Sequence, residues 1–140
     1  MLLDKISNWL LFKYYKVSVG NNFRCEGRLI LQGHGKYVIG DDVHMISKMQ
    51  VNPVAGDRTV LQTLDGGKII IGNRCGLSHA VLCAREKIEL EDFVQIGGGT
   101  AIYDNDFHSI DFEHRMQSPD THIQKKAVLI KKELLLVPDP

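Results

Sequence analysis

Two hydrophobic rhythms divide the chain. Between residues 2 and 16, Leu3, Ile6, Leu10 and Tyr14 recur at steps of three to four, and Leu2, Trp9 and Phe12 widen the stripe. That period predicts an amphipathic helix over residues 1–16, its apolar stripe packed on one end of the domain. Lys5, Lys13 and Lys16 on the same segment admit a second reading, a helix lying at a membrane interface. From residue 17 onward the helical period is gone. A short phrase replaces it: aliphatic, any residue, aliphatic, Gly or acid, Asn or Asp. It occurs at Val17–Asn21, Ile69–Asn73 and Ile88–Asp92, at Val38–Asp42 without the earlier aliphatic, where Tyr37 stands, and as a weaker copy at Val128–Lys132.

Between the phrases, apolar positions fall six residues apart. The runs are Val19, Cys25, Leu31; Ile39, Met45, Val51; Ile71, Leu77, Cys83; and Leu90, Ile96, Ile102. A step of six fits neither a helix nor simple strand alternation. It fits a solenoid whose every coil has three short faces. The fold predicted for residues 17–140 is an all-β, left-handed parallel β-helix of hexapeptide repeats. Each six-step position, Cys25 and Cys83 included, should point into the core. Gly, Asn and Asp beside these positions suit turns that need positive φ.

Val19 to Ile39 and Ile71 to Leu90 are close to a plain coil of about 18 residues. Ile39 to Ile71 and Leu90 to Ile130 are far longer. The excess predicts two inserted loops, at about 53–67 and 103–126. The first would leave the coil, with a small hairpin from Thr59 to Leu64. Loops that interrupt a regular scaffold are where function concentrates. After Lys132 the phrase gives way to LLLVPDP, which reads as a β-helix whose C-terminal coils are missing.

Composition narrows the partners. Seventeen basic and seventeen acidic side chains give zero formal charge, which argues against nucleic acid, whose phosphates require a basic face. The start, interrupted by Asp4, Lys5, Ser7 and Asn8, does not read as a signal peptide. Nothing approaches the ~20 apolar residues of a membrane span, so the expected location is cytoplasmic. The cysteines Cys25, Cys75 and Cys83 form no C-x-x-C pair and read as buried, aliphatic-like thiols.

The repeats, together with the segment IGGGTAIYDNDFHSID, resemble the hexapeptide-repeat acyltransferases. The nearest branch is the sugar and polysaccharide O-acetyltransferases of the galactoside and maltose type. The resemblance runs from about Val17 to Ile130. It implies transfer of an acyl group from acetyl-CoA, a co-substrate, to a hydroxyl of a sugar or polysaccharide precursor. It also implies a homotrimer with the donor held between subunits, and no metal. The histidine after the IYD turn, His108, would be the general base, since imidazole titrates near neutral pH.

Asp106 or Asp111 could orient that imidazole as a carboxylate does in other base systems. Asp104 and Asn105 would shape the turn or bind sugar hydroxyls, and Arg115 could bind them too. His79 reads as a turn or groove-facing residue, and His114 and His122 as solvated. His34 and His44 fall outside the six-step positions and carry no assigned role. Two other classes stay open. One is a non-catalytic β-helix remnant or assembly partner, inactive without its final coils. The other is a zinc hydratase, for which His79, His108 and His114 are the only candidate set, without recognisable ligand spacing.

Overall fold

Every strand pairing is parallel, and every partner lies three strands away along the chain. A computed structural model describes residues 1–53 and 58–137. Helix α1 (Leu2–Tyr14) comes first. The first circuit of strands is β1 (Ser18–Val19), β2 (Arg24–Gly27) and β3 (Ile30–Gln32). The second is β4 (Lys36–Ile39), β5 (His44–Ser47) and β6 (Val60–Thr63). The third is β7 (Lys68–Ile71), β8 (Gly76–Ser78) and β9 (Val81–Ala84), and the fourth β10 (Lys87–Leu90), β11 (Gln95–Ile96) and β12 (Ala101–Tyr103). After a short helix, α2 (Phe112–Arg115), come β13 (Val128–Ile130) and β14 (Leu135–Leu136). The chain is thus mostly β, three parallel sheets with a short N-terminal helix. The sheets run β1-β4-β7-β10-β13, β2-β5-β8-β11-β14 and β3-β6-β9-β12.

Alternation along each strand sends one set of side chains to a shared core. Register stacks that set into columns. In the first sheet Ile39, Ile71 and Leu90 align, with Tyr37, Ile69 and Ile88 beside them. In the second, Met45, Leu77 and Ile96 align, and in the third Leu31, Leu61, Leu82 and Ile102. All are buried and belong to one hydrophobic cluster. Cys75 fills the place that Val43 and Val94 fill in neighbouring circuits, so a thiol packs there as a small hydrophobe.

The recurring phrase marks the corner between the first and second sheets. There Asn22, Asp42, Arg74, Phe93 and Glu133 take φ between 55° and 64° in successive circuits. The Gly of the phrase lies two residues earlier and has a different reason. The amide of Asn21 donates to Asp41 Oδ1 (2.7 Å), that of Asp41 to Asn73 Oδ1 (2.8 Å) and that of Asn73 to Asp92 Oδ1 (2.7 Å). A Cβ on Gly40 would stand 2.6 Å from Asn73 Oδ1. Glycine is therefore required by close approach rather than by positive φ.

Several expectations are corrected. Thr59–Leu64 is no hairpin: Val60–Thr63 is the regular strand β6, paired with β3 and β9. The first excursion falls earlier, between β5 and β6, and residues 54–57 lie outside the described residues. Val51 is exposed beside a turn, and Leu61 takes the core position assigned to it. Val19 is in register with Ile39 but 41% exposed, because β1 is an edge strand with no circuit beyond it. Cys83 is buried but points away from the core column, its thiol toward Gln62 Oε1 (3.3 Å). The corner at His79 (φ 45°) is one residue short, so Leu82 takes the inward place. Beyond Lys132 the pattern continues: Glu133 makes the corner and β14 pairs in register with β11.

Helix α1 corrects its own expectation. Only Asn8 and Phe12 of it are buried. Asn8 donates to the Gly27 carbonyl (2.9 Å) and accepts from the Leu29 amide (3.0 Å), closing the turn between β2 and β3. Phe12 packs on Phe23 at 5.2 Å between ring centres. Leu2, Leu3, Ile6, Trp9, Leu10 and Tyr14 stay exposed. No helix among the described residues is long and apolar enough to cross a membrane.

Two measurements check this packing. Leu82→Ala should cost about 2–5 kcal/mol in denaturant unfolding, whereas Cys83→Ala, outside the core column, should cost about 1 kcal/mol. Burial pushes all three thiols up, Cys25 to about 12. A raised thiol stays protonated at neutral pH. Iodoacetamide should therefore leave the native protein unlabelled and label Cys25, Cys75 and Cys83 once it is unfolded; rapid native labelling would contradict the burial.

Candidate functional site

The long insertion between β12 and β13 holds most of the candidate residues, and its neck is closed. Asn105 and Lys125 form an antiparallel bridge. The Asp106 amide donates to the Gln124 carbonyl (3.1 Å) and the Lys126 amide to the Asp104 carbonyl (2.8 Å). The root is anchored by Asp104, whose buried carboxylate accepts the amides of Arg85, Glu86 and Lys87, each at 2.7 Å. The Asn105 side chain adds a fourth bond at 3.1 Å. Asp104 therefore ties the insertion to the turn between β9 and β10, and its acceptor capacity is taken. Asn105 also accepts from the Phe107 amide (3.0 Å), which shapes the following turn.

His108 sits between two fixed neighbours. On one side Phe107, at φ 61°, sets its ring edge-on to Tyr103 at 5.0 Å between centres. On the other, buried Ser109 gives its amide (2.7 Å) and its hydroxyl to the Asp120 carboxylate. Arg115 closes the same turn by donating to the carbonyls of Ser109 (3.1 Å) and Ile110 (3.0 Å). The backbone at His108 is thus held from both directions. Its imidazole is exposed and makes no hydrogen bond among the described residues.

The expected orienting carboxylates do not bond to that ring. Asp111 instead caps α2, accepting from the His114 amide (3.0 Å), and lies 3.6 Å from His114 Nδ1. That amide, more than any charge, holds the Asp111 carboxyl below its usual range. The Asp106 side chain is exposed and unbonded among the described residues. A short carboxylate on the residue after a loop turn is better placed to cap than to reach back. Arg115 spends its guanidinium on loop carbonyls. His122 is exposed and His114 partly so, and the two rings stack at 3.8 Å between centres.

His79 lies elsewhere, at the corner between β8 and β9. It is buried, and neither ring nitrogen has a partner. Among the described residues no group of three or more His, Cys, Asp and Glu side chains could hold a metal ion. Ser109 and Asp120 are supports of the loop beside His108 that the sequence reading missed. Ser109 follows the histidine directly, but its partner is remote in the chain, and no local spacing links the two.

Beside the loop neck a cleft of about 470 Å³ is lined by Tyr103, Asp104, Asn105, Asp106, Gln124, Lys125 and Lys126. Lys125 and Lys126 are exposed there and bring positive charge. The arrangement offers an imidazole without a hydrogen bond, on a braced loop near an open cleft lined by two lysines and two aspartates.

Two substitutions test the bracing. Asp104→Ala leaves three amides without their acceptor, at ~1–3 kcal/mol each when buried, so unfolding free energy should fall by about 3 kcal/mol or more. Asp120→Asn should instead loosen only the loop, seen as faster amide exchange at Ser109. The Ser109 hydroxyl and amide hold Asp120 below its ordinary carboxyl range. A carboxylate depressed in the folded state stabilises above its unfolded pKa and loses that contribution as pH falls through the folded value. Acidification of the wild type below about pH 4 should therefore reproduce the Asp120→Asn exchange pattern.

Compared with known proteins, the chain matches no family model, no curated protein and no solved structure.

Proposed function

We propose that this chain is a left-handed parallel β-helix of hexapeptide repeats that transfers an acyl group from acyl-CoA to a hydroxyl of a sugar or polysaccharide precursor. The observation that carries the reading is His108: its backbone is braced by Phe107 and by the Ser109–Asp120 contact, while its imidazole makes no hydrogen bond among the described residues and faces the Asp120 carboxylate only electrostatically. A general base needs both properties, a fixed position and an unoccupied nitrogen. The imidazole takes the proton of the acceptor hydroxyl as its oxygen attacks the thioester carbonyl. The tetrahedral intermediate then collapses, the C–S bond breaks, and the imidazolium returns the proton to the leaving thiolate. Products are the O-acyl sugar and free CoA.

Lys125 and Lys126 at the neighbouring cleft can meet the phosphates of the donor as point charges, beside the Asp104 carboxylate already bound to three amides and the exposed Asp106. The base is exposed in a single chain, which fits a site whose other wall comes from a neighbouring subunit of a trimer. A second reading, a non-catalytic β-helix that serves in assembly, is favoured by Asp104 and Asp111, whose carboxylates are already engaged in holding the backbone.

The test is thiol release from acetyl-CoA with a panel of sugars. His108→Ala should lower turnover by ~10²–10⁴-fold, the usual cost of losing a positioned base. CoA affinity and unfolding midpoint should hardly move, because the exposed side chain makes no hydrogen bond among the described residues. Wild-type turnover in His108→Ala would defeat the base assignment. A wild type that neither binds CoA nor acylates any sugar would leave the non-catalytic reading.

A further inference from the structure

We propose that helix α1 is a docking element for an anionic lipid surface, lying flat in the interface with Leu2, Leu3, Ile6, Trp9, Leu10 and Tyr14 turned into the acyl boundary. The inference does not depend on the acyl-transfer reading. It starts from an inversion: the helix buries Asn8 and Phe12 against the sheets and leaves those six large side chains 46–72% exposed. Leu3, Ile6, Leu10 and Tyr14 follow steps of three and four and Leu2 and Trp9 flank them, so the six form one continuous face opposite the docked one. A contiguous apolar face with a charged edge marks an interaction site.

Charge selects the occupant. Lys5, Lys13 and Lys16 are exposed on or beside this face, and the Lys13 ammonium lies 5.6 Å from the centre of the Trp9 ring. Asp4 is the only carboxylate of the helix. It is turned toward the domain, where Arg28 Nε (2.9 Å) and the Met1 ammonium (2.6 Å) hold it. The outward face is therefore apolar and cationic with no acid of its own.

A second copy fits that face poorly. A two-fold pairing would press the lysines of both helices together without a carboxylate between them, at a cost. One face of a thirteen-residue helix is also small against the ~800 Å² per partner of a standard interface. At an anionic lipid surface the same lysines meet lipid phosphates, and Trp and Tyr favour the headgroup level. At 1.5 Å per residue the helix is about 20 Å long, short of the ~30 Å hydrocarbon core. It would lie in the surface and not cross it.

Trp9 is the only tryptophan, so its emission reports this face alone. Adding vesicles of phosphatidylglycerol and phosphatidylcholine should blue-shift Trp9 emission and sediment the protein. Pure phosphatidylcholine should act weakly, and salt should release the bound protein. The double variant Leu3→Glu/Leu10→Glu should lose vesicle binding with unchanged thermal unfolding, because both side chains are exposed. Lys5→Gln and Lys13→Gln should each weaken binding to the anionic vesicles about fivefold. An unshifted Trp9 emission with no sedimentation overturns the proposal. So does anionic binding that survives Leu3→Glu/Leu10→Glu. A blue shift without lipid that grows with protein concentration, alongside doubled mass in light scattering, would assign the face to a second copy instead.

Discussion

A backbone amide of one circuit donating to an Asn or Asp side chain of the next is the interaction on which the remaining architecture rests. It repeats from Asn21 to Asp41, Asp41 to Asn73 and Asn73 to Asp92 at 2.7–2.8 Å. Each bond sets where one circuit sits on another, and a slip of one residue would turn every core side chain outward. The chain obtains the necessary approach by omitting Cβ at Gly20, Gly40 and Gly72. At Glu91, where no glycine stands, the side chain itself turns over to accept the Lys132 amide (2.9 Å). The corner thus survives a change of residue by changing the donor–acceptor pairing.

Rigid stacking also explains how a long insertion can be precise. The segment between β12 and β13 would carry a large closure entropy if it hung from its ends alone. Asp104 instead binds three successive amides at the turn between β9 and β10, and the Asn105–Lys125 bridge closes the neck above it. Inside the loop, Asp120 and Arg115 both act on the turn around Ser109. The bonds accumulate on either side of His108 and stop short of its ring. Polar residues that a motif reading treats as substrate ligands are here the means of presenting one side chain.

The two ends of the sheets are treated differently. At the β1 end, α1 covers part of the first circuit through Asn8 and Phe12 and leaves Val19 partly open. Asn8 does what a polar cap must do, satisfying a carbonyl and an amide that a further strand would otherwise have paired. The helix needs few apolar contacts to dock because one side chain satisfies two backbone groups. That economy frees its hydrophobic face.

By itself the sequence determined the periodic core. Ile39, Met45, Ile71, Leu77, Leu90, Ile96 and Ile102 are buried where the six-residue step places them, because a repeating backbone geometry imprints a repeating demand for apolar side chains. It also marked the corners, through Gly-Asn and Gly-Asp, and the segment that leaves the scaffold with His108. Tertiary structure decided whatever depends on a partner distant in the chain. Leu82 rather than Cys83 turns inward because the corner at His79 is one residue short, and a count of six cannot register a local deletion. Thr59–Leu64 became a strand because β3 and β9 offered it two edges. The apolar stripe of α1 faced outward because Asn8 found the Gly27 carbonyl and the Leu29 amide. Amphipathic spacing shows that a helix has two faces, but only the surface it meets decides which one is buried.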